Sequence, residues 1–262
     1  MKNNNFYHFL LSAIHHLSRS VTPHLLLSVI GCSCLLLSCS RDSCPLSSGP
    51  AGSESRDLPS FNSIVLYGKI NLVLTQDTGQ LVRVSGGKNL LPGIQTSVSQ
   101  QTLTIKDNNT CLLSDPSGRI NVYISTGQLQ MITYYGAGDI SSTNTLLAPQ
   151  FTMDCWEGSG TIRLNVQAGE VNALVRNENA TIVMTGAADS SYIYCSEAGS
   201  VDMSGFATTA SEIDSKSVRD IYVNASHALH AHIVYRGNVF YKNDPPVIDT
   251  RITSTGRLIH IE

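Results

Sequence analysis

The sequence predicts an all-β protein, built as a parallel β-solenoid with coils of about 20 residues that follow an N-terminal signal and tether. Three observations predict it. Apolar residues alternate with period two from Phe61 onward, no helical periodicity survives over a useful window, and the second half repeats a short motif at near-constant spacing.

The alternation opens with Ile64 and Leu66, then Ile70, Leu72 and Leu74, a pair of short strands joined near Gly68. Val82 and Val84 continue it, followed by Val98, Leu103 and Ile105. Turn signals stand at Gly86-Gly87, Pro92-Gly93 and Asp107-Asn108-Asn109. Ile120, Val122 and Ile124 mark another strand.

The repeat is a triplet of a small residue, a polar residue and a branched apolar residue, first met as Gly138-Asp139-Ile140. Its apolar members are Ile140, Ile162, Ile182, Val201, Ile221, Val239 and Leu258, spaced 22, 20, 19, 20, 18 and 19 residues apart. A two-strand unit of this size cannot bury its own apolar face, whereas stacked units bury one continuous core. The seven apolar residues should therefore form one internal column, with each preceding glycine at a corner that needs positive φ. A second strand lies between triplets, with Met153, Leu174, Ile193, Ile213, Ile233 and Ile252 as its apolar candidates. In that register Cys155, Cys195, Ser215 and Ser254 point inward. Arg176 falls on the same inward position and fits badly, which implies a bulge or a slipped register there.

The residues before Phe61 read differently. Lys2 and Arg19 are the only formal charges before Cys39, and Leu25 to Leu37 is an apolar run of 13 residues. Such a run is shorter than the roughly 20 residues of a membrane span but suits an export signal. It ends in Leu36-Leu37-Ser38-Cys39, which resembles a lipobox and implies a lipidated thiol at Cys39, with Cys32 as the rival. One acyl chain binds a membrane marginally, and several on one residue hold it durably. The chain thus divides into a signal peptide (1–38), a lipidated cysteine with a Ser-, Pro- and Gly-rich tether (39–60) and the solenoid (61–262). Ser40, rather than Asp, after the lipid cysteine favours the outer membrane. The remaining cysteines, Cys44, Cys111, Cys155 and Cys195, form no CxxC pair, so neither zinc nor a disulfide framework is expected.

Charged residues make up 14% of the chain, against about a quarter in ordinary soluble domains. With a net charge of −3 and no basic cluster, nucleic acid is excluded as a partner.

Together these features resemble the head GIN domain family, putative auto-transporter adhesins common among Bacteroidetes lipoproteins. Phe61-Asn62-Ser63-Ile64, Lys88-Asn89-Leu90-Leu91 and Leu103-Thr104-Ile105 carry the likeness at the start, and Gly136-Ala137-Gly138-Asp139-Ile140 at the centre. Gly237-Asn238-Val239-Phe240-Tyr241, Pro246 and Thr255-Gly256-Arg257-Leu258 carry it at the end. The resemblance implies a right-handed β-helix over residues 61–262, a cell-envelope location and a binding or adhesion role, with no catalytic residues to transfer. Arg219 and Asn243 stand where the family places glycine.

Parallel β-helices also carry glycan-cleaving enzymes, which need converging carboxylates and a basic group. Glu157, Glu178 and Glu197 stand at similar places in successive coils and could ladder along one turn, where a solvated edge is the stronger reading and a weak Ca²⁺ site the alternative. His227, His230 and His232 read as surface histidines rather than metal ligands. No nucleophile elbow, P-loop or dinucleotide fingerprint is present, so no cofactor is expected. Tyr192 and Tyr194 flank the inward Ile193, with Trp156 on the same face two coils earlier. This aromatic patch is the candidate binding surface, for a glycan or an envelope protein.

Overall fold

The computed structural model describes residues 47–109, 119–127, 129–176 and 179–262. Cys32, Cys39, Cys44, Cys111 and Glu178 therefore lie outside the described residues. The strands in chain order are β1 (Ala51–Arg56), β2 (Ser63–Gly68), β3 (Ile70–Gln76), β4 (Leu81–Gly87), β5 (Ile94–Ser99), β6 (Thr102–Asp107), β7 (Ile120–Thr126) and β8 (Met131–Gly136). Then follow β9 (Ile140–Cys155), β10 (Thr161–Val175), β11 (Thr181–Glu197), β12 (Ser200–Ser217), β13 (Ile221–Ile233), β14 (Val239–Lys242), β15 (Val247–Ile252) and β16 (Leu258–His260). The strands β9 to β13 each run through both faces of a coil, which is why they are so long.

The architecture is a β-solenoid of about six turns. All seven triplet residues pair in register, Ile140 with Ile162, Ile182, Val201, Ile221, Val239 and Leu258 in succession. The first six are buried. Branched side chains suit this column because each packs on its own equivalent one coil away, about 4.8 Å distant.

The glycines of the triplets owe their identity to crowding rather than to backbone hand. Among the described residues, glycines with positive φ are Gly49, Gly68 and Gly186, and no triplet glycine is among them. A Cβ on Gly138 would overlap the carbonyl oxygen of Ile70, one on Gly160 that of Gly138, and one on Gly237 that of Arg219. Corners of successive coils are in backbone contact, so the side chain has no room. Asn243 does take the left-handed conformation, at φ 64°, where Asn is the best substitute for glycine.

The polar member of the triplet closes a hydrogen bond to the next coil. Asp139 Oδ1 accepts from Thr161 N–H, Asp220 Oδ1 from Asn238 N–H, and Asn238 Oδ1 from Arg257 N–H. Short side-chain acceptors thus satisfy amides that the turn leaves unpaired.

The second column differs from its sequence-predicted register. Met153 pairs with Ala173, then Ile193, Ile213, Ala231 and Thr250. Leu174 is one residue out, opposite Asp154 and Tyr194. Ile233 and Ile252 instead join a further inward column with Cys155, Val175, Cys195 and Ser215, so Val175 takes the position assigned to Arg176 and Ile252 that assigned to Ser254, which is exposed. The register slips because Ala173-Leu174-Val175 are apolar in a row and alternation cannot choose between their phases. Arg176 turns outward. Cys155 and Cys195 are buried free thiols.

The N-terminal part is stacked out of sequence order. β3 lies between β7 and β9, and β2 between β6 and β8, all parallel. Two antiparallel additions cover this end. β4 pairs with β7 and carries β1, while β5 folds back on β6 through Gln100-Gln101, both at positive φ. Gly86 and Gly87 belong to β4 rather than to a turn, lying opposite Gly52 and Ala51. Strand β1 falls inside the stretch whose composition suggests a tether. Its side chains are exposed or half-exposed, so backbone pairing with β4 holds it rather than burial.

Candidate functional site

On the second face, outward positions of successive coils line up as surely as inward ones. Beyond the Cys155 column lies a row that runs Lys106, Tyr67, Tyr135, Trp156, Arg176 and, two coils on, Lys216. The Tyr67 and Tyr135 rings stack at 4.9 Å, and Lys106 Nζ sits 5.0 Å from the Tyr67 centroid. The Arg176 guanidinium lies 4.7 Å from the Trp156 centroid and 5.9 Å from that of Tyr194 in the adjoining row. Lys216 Nζ is 5.0 Å from the Tyr194 ring on its other side. Cations and aromatic rings therefore form two clusters along one stripe of the solenoid, Lys106–Tyr67–Tyr135 and Trp156–Arg176–Tyr194–Lys216, each contact worth about 0.5–1 kcal/mol at such exposure.

Two carboxylates hold the stripe in place. Asp154, only 5% exposed, accepts from Arg176 Nε at 2.7 Å and from Trp156 Nε1 at 3.0 Å. It fixes the indole and the guanidinium with one side chain. Asp214 contacts Lys216 at 3.4 Å and His232 at 3.4 Å. Its Oδ1 is buried without a hydrogen-bond donor, so the histidine contact is close in distance but not hydrogen-bonded.

Both carboxylates reinforce ordinary charge states. A hydrogen bond to Asp154 raises Arg176, and Asp214 raises Lys216. Burial, and then Asp214, raises Tyr192. The two cations stay charged and the tyrosine stays neutral near pH 7.

The aromatic residues singled out in the sequence are placed as follows. Tyr192 and Tyr194 both point outward from β11, and Trp156 is 38% exposed two coils earlier. Trp156 and Tyr194 are brought together through Arg176. Tyr192 stands apart, at a shallow depression of roughly 210 Å³ with Glu212, Asp214, His230, His232 and Arg251. His230 and His232 share one face as expected, 3.8 Å from Asp249 and 3.4 Å from Asp214 respectively. No group of His, Cys, Asp and Glu among the described residues is arranged to hold a metal. Glu157 is exposed in a bend, and Glu197 is exposed as the last residue of β11.

Lys216, Tyr67, Tyr135, Asp154 and Asp214 escape sequence reasoning, and Arg176 enters it only as a misfit. A signal was available for some of them, since Trp156, Arg176 and Lys216 sit at whole multiples of the coil length. The sequence also suggests open ring faces. Here Arg176 lies over Trp156, Arg176 and Lys216 lie over Tyr194, and Tyr67 stacks on Tyr135 beside Lys106, so each of these rings has a neighbour on at least one face.

Fold and site together define a class, the parallel β-solenoid that carries ladders of exposed side chains along its coils. Residues 60–245 match the family described as putative auto-transporter adhesin, head GIN domain, and the chain belongs to that family. Among solved structures it is similar to a putative adhesin from Bacteroides fragilis, at 20% identity and TM-score 0.76, covering 81% of this chain and 97% of that one. It is also similar to a putative adhesin from Parabacteroides distasonis, at 19% identity and TM-score 0.60, covering 81% and 98%. A putative lipid binding protein from the same species is 18% identical with TM-score 0.56, covering 82% and 98%. These likenesses concern the fold. No curated protein matches the chain.

Proposed function

We propose that this protein is a non-catalytic adhesion module of the cell envelope, held to the outer membrane by lipid on Cys39, with the cation–aromatic stripe as its binding surface. The carrying observation is that two cation–aromatic clusters, Lys106–Tyr67–Tyr135 and Trp156–Arg176–Tyr194–Lys216, follow one another along the same face. Tyr, Trp and Arg are the residues that dominate protein–protein hot spots, and Asp154 preorganises two of them before any partner arrives. Covered ring faces favour a protein surface as partner. Non-catalysis is supported by the protonation states of Arg176, Lys216 and Tyr192, none of which is poised to exchange protons near neutrality. Family membership and the adhesin descriptions of the structural neighbours agree with this reading.

A glycan is the second reading, favoured by the depression at Tyr192, whose Glu212, His230 and Arg251 side chains offer donors and acceptors to sugar hydroxyls. Cells carrying the wild-type chain or the Trp156→Ala, Tyr194→Ala double variant should be scored for adherence to protein-coated surfaces and to a glycan panel. The variant should lose roughly tenfold or more on protein coats. Equal adherence of the two on every surface would sink the stripe as the binding site, and a loss confined to the panel would select the glycan. Palmitate labelling of wild type against Cys39→Ser tests the anchor, since label retained by the variant moves it to Cys32. Protease shaving of intact cells decides between surface and periplasm.

A further inference from the structure

The two ends of the solenoid present unlike edges. At the N-terminal end β1 and β5 are antiparallel additions, and the β1 edge reads Ala-Gly-Ser-Glu-Ser-Arg. At the C-terminal end, among the described residues, β15 pairs only with β13 and β16 only with β14. Every residue of β15 is exposed, including Val247, Ile248 and Ile252, each more than two-fifths exposed. A bare, apolar strand edge is a template for another strand.

The sequence of β15 is self-complementary about Thr250. Thr253 N–H bonds Ile233 O, so by strand alternation Ile252, Thr250 and Ile248 turn their backbone groups toward the open edge. Their side chains face inward, in the columns of Ile233, Ala231 and Leu229. Asp249 and Arg251 face outward in the rows of His230 and His232. We propose that two copies of this chain join end to end through β15, antiparallel about a two-fold axis at Thr250. In that register Thr250 meets its own equivalent, and Ile248 meets Ile252 of the second copy in backbone-bonded pairs. Asp249 stands across from Arg251 of the second copy, and Arg251 from its Asp249. Opposite charges on directly facing residues stabilise an antiparallel pair, and like charges there oppose it. The apolar columns continue through the joint. A registered, charge-matched pair of identical strands singles out a second copy as the occupant, because a two-fold contact must match a surface to itself. Assembly stops at two, since among the described residues neither β1 nor β5 repeats the self-complementary sequence of β15.

The test measures the solution mass of the full chain in detergent by light scattering. Wild type should run as a dimer, and Arg251→Asp, which sets Asp opposite Asp twice, should halve the mass. Asp249→Arg should do the same, while the swapped double variant Asp249→Arg, Arg251→Asp should restore the dimer. Thr250→Cys should form a disulfide-linked dimer under mild oxidation, and Ser53→Cys on β1 should not. Far-ultraviolet circular dichroism of each variant separates loss of pairing from loss of fold. A monomeric wild type, a dimer that survives Arg251→Asp in a folded chain, or a swap that fails to restore pairing overturns the proposal. So does a monomer whose Thr250 amide resists hydrogen exchange, because another segment would then cover the edge.

Discussion

In the coils from β9 to β16, every strand pairs with the segment one coil away in sequence, as Ile162 does with Ile182. Around β2 to β7, apart from the β5–β6 hairpin, the partners are distant: Ile70 pairs with Ile120, and Leu72 with Ile140. Both regions bury the same kind of column and share the same strand spacing. Only the first writes its register into the sequence, because stacking in chain order turns a spatial repeat into a sequence period. Out-of-order stacking buries equally well but leaves alternation alone, which gives strands without partners. It also demands closure of longer loops, which favours earlier pairing in the C-terminal coils.

The comparison breaks most sharply at glycine. Gly160 stands where coils touch, against the Gly138 carbonyl and the Tyr134 hydroxyl, so Gly160→Val should cost about 3 kcal/mol or more in urea unfolding. Next comes a pH effect from the ordered stack. Burial pushes the Cys195 thiol up to about 12 and raises Cys155 too, against an ordinary value of 9. The native state keeps thiol protons that the unfolded chain sheds, so this stability is complete below about pH 9 and declines as pH rises toward the folded value. The decline is about 1.4 kcal/mol per pH unit per thiol. Unfolding midpoints across that range should fall, and the Cys155→Ala, Cys195→Ala variant should flatten the fall.

Ser215 sharpens the same comparison in the opposite direction. Its Oγ is buried without a partner in the column of Cys195 and Ile233, so Ser215→Ala should raise stability by about 1 kcal/mol. The smallest effect belongs to the N-terminal part. A Cβ on Gly79, in the turn between β3 and β4, would meet no heavy atom within 4 Å, and Gly79→Ala should stay within about 0.5 kcal/mol of wild type.

Legibility of the sequence follows the same division. The seven triplet residues are readable as one column, and all seven pair. The gap from the second column to the next triplet reads as irregular when Ile233 and Ile252 are taken as its members. With Ala231 and Thr250 in their place it stays at eight or nine residues throughout. Small and polar residues in a core column hide it from a hydrophobicity reading. The Gln100-Gln101 turn is equally hidden, since two-residue hairpin loops of this hand usually carry Asn or Gly. Of the site, the exposed aromatics are legible and their partners are not. Arg176 is visible only as a misfit, and it proves to be the link between Trp156 and Tyr194.

Strand β1 has a mechanical consequence for a chain held by its N-terminal side. Tension reaches residues 47–50, which hydrogen-bond to Lys88 and Asn89, and then β1, which pairs with β4, adds one side-chain bond from Arg56 to Leu91 O and keeps its side chains largely in water. It should peel first, releasing six residues, or about 20 Å of chain, before the core bears load. The strand would then act as a short shock absorber between the point of attachment and the coils.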